Sequence, residues 1–111
     1  MTIKKAKAIN GLDYIVTETR SGILVSAYNE DGEVVAEAEA HQLKRAIEMT
    51  VNAVYFKWKS EKMEESGWKC ERCGSVRALH AHHIVFRSKG RNDRKENMQV
   101  LCINCHEDEH R

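Results

Sequence analysis

Two Cys-x-x-Cys pairs, Cys70/Cys73 and Cys102/Cys105, stand 28 residues apart near the end of a 111-residue chain. Thiolates at that knuckle spacing are what a tetrahedral Zn²⁺ accepts, and four of them close its coordination sphere. Such a site has no open position, so its work is to hold the chain rather than to react. In small fingers metal binding is worth on the order of 10 kcal/mol, enough to stand in for a core that a short segment cannot build. A redox-active Cys pair is the rival reading, but the expected setting of strand, Cys-x-x-Cys and helix is missing.

Histidine supplies a second chemistry. His80, His82, His83, His106 and His110 place five of the six histidines in the last 32 residues. His106 and His110 are four apart on an expected short terminal helix, so their rings share a face and could chelate one ion. His82 would complete a three-ligand set that leaves positions for water, and His83, unligated, would serve as a general base. In a regular strand His82 and His83 point to opposite faces, so both serve one site only if the strand ends or bulges there. His80 reads as a surface residue or as a neighbour supporting a ligand.

Charge adds a third signal. The net charge is only +1, but residues 67–105 carry eight Lys/Arg against three acids. Arg87, Lys89, Arg91, Arg94 and Lys95 crowd one loop, a footprint suited to phosphate, although a solvated charged turn is the plainer alternative. Zinc held by four thiolates would subtract two charges without removing this local patch.

The elements that must position these residues follow from periodicity. Residues 1–11, with Lys4, Lys5 and Lys7, read as a solvated basic terminus, or else as an arm for phosphate. Tyr14 to Thr19, Ile23 to Tyr28 and Val34 to Ala40 read as three strands, joined by turns at Arg20-Ser21-Gly22 and Asn29-Glu30-Asp31-Gly32. From His41 to about Ser66 the apolar positions Leu43, Ile47, Val51, Val54 and Trp58 recur every three or four residues, the stripe of one long helix laid on the sheet, with Gly67 as its cap. Trp68 reads as core. The expectation is an α+β chain in two parts: a three-stranded antiparallel meander plus long helix over 1–66, and a zinc-stabilised module over 67–111. No apolar run is long enough to cross a bilayer, and the start lacks the apolar core of a signal peptide, which points to the cytoplasm and to cysteines kept as thiolates.

The order His82-His83, thirteen residues, Asn97, eight residues, His106, with the last His directly after a Cys-x-x-Cys knuckle, resembles the HNH endonucleases of the ββα-metal fold. The resemblance covers about residues 68–111. It implies a hairpin packed on one helix around a single divalent ion, with His83 as general base, His82 and His106 as metal ligands, and Asn97 bracing the loop and the base. Many members carry Asp where this chain has His82. A His there, with a further His at 110, is similar to bacterial toxin nucleases of the colicin type and leaves open whether the ion is Mg²⁺, Mn²⁺, Ni²⁺ or Zn²⁺.

The activity this implies is metal-assisted hydrolysis of DNA phosphodiesters, with the basic loop residues on the backbone and little sequence preference. Free-standing proteins of this kind resemble those of bacteria and bacteriophages. The alternative is a non-catalytic zinc-binding adaptor for DNA or protein that keeps the fold, for which the cysteines alone would suffice. The acids Glu30, Asp31, Glu33, Glu37 and Glu39 argue against phosphate contact by the first part, so residues 1–66 are expected to act as scaffold, homodimer contact or docking site.

Overall fold

A computed structural model describes residues 3–84 and 91–109, with side chains described from residue 9 to 84 and 91 to 108. The chain divides into two compact units, Met1–Phe56 and Lys57–Arg111.

The first unit is an antiparallel sheet in the order β1 (Ile3–Ile9), β2 (Leu12–Glu18), β3 (Ile23–Tyr28), β4 (Val34–Ala40), followed by the start of helix α1 (Leu43–Glu65). The three expected strands are present. The stretch read as a solvated terminus is instead a fourth strand, paired with β2 from Ile3↔Thr17 to Ile9↔Leu12. Asn10 and Gly11, both at positive φ (61° and 73°), turn the chain between them. That is the two-residue hairpin geometry that Asn-Gly favours, because its twist matches that of the flanking strands.

Register explains the core. Tyr14↔Ala27↔Ala36 and Val16↔Val25↔Ala38 line up across three strands, so one face carries the apolar side chains. Leu12, Tyr14, Val16, Val25 and Ala27 are buried there, with Ala46, Thr50, Val51 and Val54 of α1. The helix meets the sheet through Val51 and Val54 of the sequence stripe together with two small residues outside it, Ala46 and Thr50, which are fully buried, whereas Leu43 is exposed. Thr50 shares its hydroxyl proton between the Val25 carbonyl of β3, at 3.1 Å, and the Ala46 carbonyl one turn earlier, at 2.8 Å. A bulkier residue at 50 would hold the helix off the strand. On the opposite face, Glu37 accepts from the Ser26 hydroxyl of β3 at 3.0 Å and Glu39 from Thr19 of the β2–β3 turn at 2.6 Å.

Gly22 closes the β2–β3 turn, where its carbonyl accepts from the Thr19 N–H at 2.8 Å. It has φ +155°, and a Cβ there would run into the Ala40 carbonyl oxygen at the end of β4. Backbone cannot yield as a flexible side chain does. Gly22→Ala is therefore expected to cost about 2–3 kcal/mol through overpacking and strain, read as a lowered melting temperature. An unchanged midpoint would mean the turn relaxes freely.

The second unit begins with the end of α1. Gly67 N–H bonds the Glu64 carbonyl at 3.0 Å and Trp68 N–H the Met63 carbonyl at 2.9 Å, the paired bonds of a Schellman cap. Trp68, just past the cap with φ 58°, is 55% exposed, so it is not the core residue its apolar ring suggests. The first knuckle follows, then β5 (His80–His83), a 3-10 turn (Lys95–Asn97), β6 (Met98–Leu101) and α2 (Ile103–Glu109). β5 and β6 form an antiparallel pair running from His80↔Leu101 to His83↔Met98. The fold class is thus α+β, with a small hairpin and helix at the C-terminal end.

Candidate metal centre and histidine site

Cys70, Cys73, Cys102 and Cys105 bring their sulfurs within 4.8 Å of one another, the one such donor group among the described residues. Bonds of about 2.3 Å to a tetrahedral zinc would set sulfurs about 3.8 Å apart, and Cys73 Sγ lies 3.6 Å from Cys102 Sγ. The donor set fits zinc in both chemistry and size.

The protein prepares this site for charge unevenly. Burial would push the Cys70 thiol up, but backbone N–H groups of Cys102, Cys73 and Arg72 outweigh it and bring it down to about 6. Burial, reinforced by the neighbouring sulfurs, pushes Cys105 up to about 12. Four thiolates cannot coexist at that spacing without a cation among them.

The knuckle is fastened to the hairpin by the residue between its first two cysteines. Glu71 N–H donates to the Val100 carbonyl at 2.8 Å, and the Glu71 carboxylate accepts from the Val100 N–H. The edge of β6 away from β5 is satisfied in this way, and Lys62 pairs with the same carboxylate at 3.5 Å. β6 then passes through Cys102 directly into α2, whose His106 N–H bonds the Cys102 carbonyl at 2.8 Å. The cysteines therefore fix where His106 stands.

Strand alternation divides the histidines of β5. His82 is buried, and its ring meets that of His106 edge-on with centroids 5.2 Å apart. His80, two residues earlier on the same face, stacks on His106 at 5.1 Å. His83 lies on the other face at the last position of the strand, where its Nε2 is 2.8 Å from Asp93 Oδ1. The strand ends there rather than bulging, since the register with β6 is unbroken through His83↔Met98. His110 lies outside the described residues.

Asn97 is buried and spans the hairpin. Its side-chain amide donates to the Asn92 carbonyl at 2.8 Å, its carbonyl accepts from Ile84 N–H at 2.8 Å, and its N–H bonds the Arg94 carbonyl at 2.9 Å. It thereby joins the residue after β5 to the turn before β6.

Of the basic loop, Arg87 and Lys89 lie outside the described residues. The other three have partners within the second unit. Arg91 Nε donates to Asp93 Oδ2 at 2.6 Å, and the Arg94 guanidinium sits 5.3 Å over the Trp58 ring. Lys95 bonds Glu65 at 2.6 Å and approaches Glu61 at 3.7 Å. The Glu65 hydrogen bond holds the Lys95 amine above its ordinary range, and the same bond holds the Glu65 carboxyl below its own.

Sequence reasoning passed over Asp93, which it counted only as one acid among basic neighbours. The local signal was weak: an acid enclosed by Arg91 and Arg94, four residues before Asn97. That it is fully buried against His83 is a tertiary fact. Glu71 was missed as a structural partner for the same reason, whereas His80, read as a surface residue or a neighbour supporting a ligand, stacks on His106.

No described helix is long and apolar enough to cross a membrane. No curated protein and no solved structure matches the chain. Residues 70–111 match the family model described as HNH endonuclease, in keeping with the paired knuckles, the two-stranded hairpin and the terminal helix that carries His106. The likeness to the HNH endonuclease family thus covers residues 70–111, the stretch that holds both knuckles, the hairpin and the terminal helix.

Proposed function

We propose that this protein is a metal-dependent endonuclease that hydrolyses DNA phosphodiester bonds. His83 is the general base, and His82 and His106 hold one divalent ion, with His110 as a candidate further ligand. The observation that carries the reading is the division of labour in β5: His82 turns to His106, with ring centroids 5.2 Å apart, while the adjacent His83 turns to a buried carboxylate. Two imidazoles from separate elements suit a divalent transition metal, and a third with a carboxylate partner suits proton transfer.

A divalent ion bound by these histidines would polarise the phosphoryl group and offset charge on the departing 3′ oxygen. His83 takes a proton from the attacking water at one ring nitrogen while Asp93 accepts from the other. Asn97 ties Ile84, the residue after the base, to Asn92 ahead of β6. Products would carry 5′-phosphate and 3′-hydroxyl ends.

Arg87, Lys89, Arg91, Arg94 and Lys95 supply positive charge for backbone phosphates, so binding weakens as salt rises. Lys95 must leave or share Glu61 and Glu65 to do so. Residues 1–66 act as scaffold or docking surface, because the acidic face of the sheet repels phosphate.

The test is cleavage of supercoiled plasmid by EDTA-treated protein whose structural zinc has been verified, with Mg²⁺, Mn²⁺, Ni²⁺ or Zn²⁺ restored singly. Cutting with at least one ion is expected. A protein that binds plasmid yet cuts with none would overturn the nuclease reading in favour of an adaptor.

A further inference from the structure

The contact between His83 and Asp93 does not stand alone. Asp93 has a fully buried side chain and spends its two oxygens on two different partners: Oδ1 lies 2.8 Å from His83 Nε2, and Oδ2 accepts from Arg91 Nε at 2.6 Å. The buried carboxylate thus links the partly exposed guanidinium of Arg91 to the base. A buried carboxylate without such partners would be costly, and the guanidinium bonded to its second oxygen orients it.

We infer that Asp93 is a positioning residue that fixes the tautomer of His83, and that Arg91 fixes Asp93. A carboxylate only accepts, so the proton of neutral His83 resides on Nε2, and Nδ1 becomes the basic nitrogen. The orientation of the ring follows as well, since Oδ1 cannot swing away while Oδ2 is tied to Arg91. This rests on His83 being the base, but its central consequence, which nitrogen holds the proton, can be observed without any cleavage.

The geometry makes a specific prediction for Asp93→Asn, a change of nearly equal volume. Arg91 offers only a donor, so the single amide oxygen turns to Arg91 and the NH₂ group faces His83. Nε2 must then accept, which moves the proton to Nδ1, the nitrogen that should receive the proton from water. The equivalent exchange in a His–carboxylate pair that sets a tautomer costs about 10⁴-fold in rate.

The experiment is ¹⁵N–¹H spectroscopy of the imidazole of His83 in the zinc-loaded full chain, wild type against D93N, beside plasmid binding and cleavage. Expected are an Nε2–H tautomer in wild type, an Nδ1–H tautomer in D93N, and a fall in cleavage of about 10²-fold or more with zinc content and plasmid binding unchanged. The inference fails if D93N keeps the wild-type tautomer, whatever its activity. Loss of cleavage without a tautomer change would make Asp93 a packing residue only. A normal tautomer shift in D93N with undiminished cleavage would instead remove His83 from the base role.

Discussion

Replacing His83 with alanine should lower plasmid cleavage by about 10²- to 10⁴-fold, the contribution of a positioned general base, while zinc content and plasmid binding hold. The local cost is modest. His83 is the last residue of β5, and its pairing to Met98 is through backbone that alanine retains. What is lost is one partner of Asp93, whose other oxygen still meets Arg91. Leaving one polar partner of a buried group unmet costs about 1–3 kcal/mol, so variant and wild type should be compared well below the melting transition. Added imidazole offers a second readout, since a small base entering the vacated space should recover part of the rate. Undiminished cutting in a variant confirmed free of wild-type protein would rule out His83 as the base.

Removal of the structural metal should have a still larger effect. The buried cluster at the centre of the second unit is Cys70, Leu101, Cys102 and Cys105, with Leu79 packed against it. Three of these four buried residues belong to the four-cysteine group that could hold zinc, so a bound metal and the core would be the same object. Zinc binding in small fingers contributes on the order of 10 kcal/mol, a large share of the stability of any small domain. Cys102→Ser, or prolonged chelation, should therefore collapse the dispersed amide signals of residues 57–111. The buried residues of the first sheet and its helix, from Leu12 to Val54, include no cysteine, and their signals should persist. Because thiols shed protons as they bind metal, recovery on adding zinc should be steeper at higher pH. Retention of native dispersion in a protein shown to be free of metal would mean that the apolar residues suffice.

The parts legible in the sequence were those fixed by local chemistry. Ile23–Tyr28 and Val34–Ala40 are strands at the residues where alternation ends in turn residues, and the long helix ends at Glu65 with Gly67 in its cap. The knuckles were legible because sulfur spacing is itself the signal. Ile3–Ile9 was obscured by three lysines, and an edge strand draws its hydrogen bonds from a neighbour rather than from its own pattern. The cue was present in Asn10-Gly11, read as the end of a tail instead of as a hairpin turn. Ala46 and Thr50 were missed because a search for large apolar side chains overlooks positions where closeness requires small ones. Asp93 depended on a fold-back of ten residues that no local rule supplies.

The unbroken pairing of β5 with β6 also sets which kinds of sequence change this domain can survive. With His82 opposite Gln99 and His83 opposite Met98, a slip of one residue would exchange the two imidazoles between His106 and Asp93, because side chains alternate strictly. Point substitutions at Ala81 or Gln99 leave that assignment alone. A one-residue deletion within His80–His83 does not, and it should silence cleavage even where every histidine is retained, whereas a two-residue change restores the parity of the faces. Deletion of Ala81, scored for plasmid nicking beside point substitutions at Ala81, would reveal this.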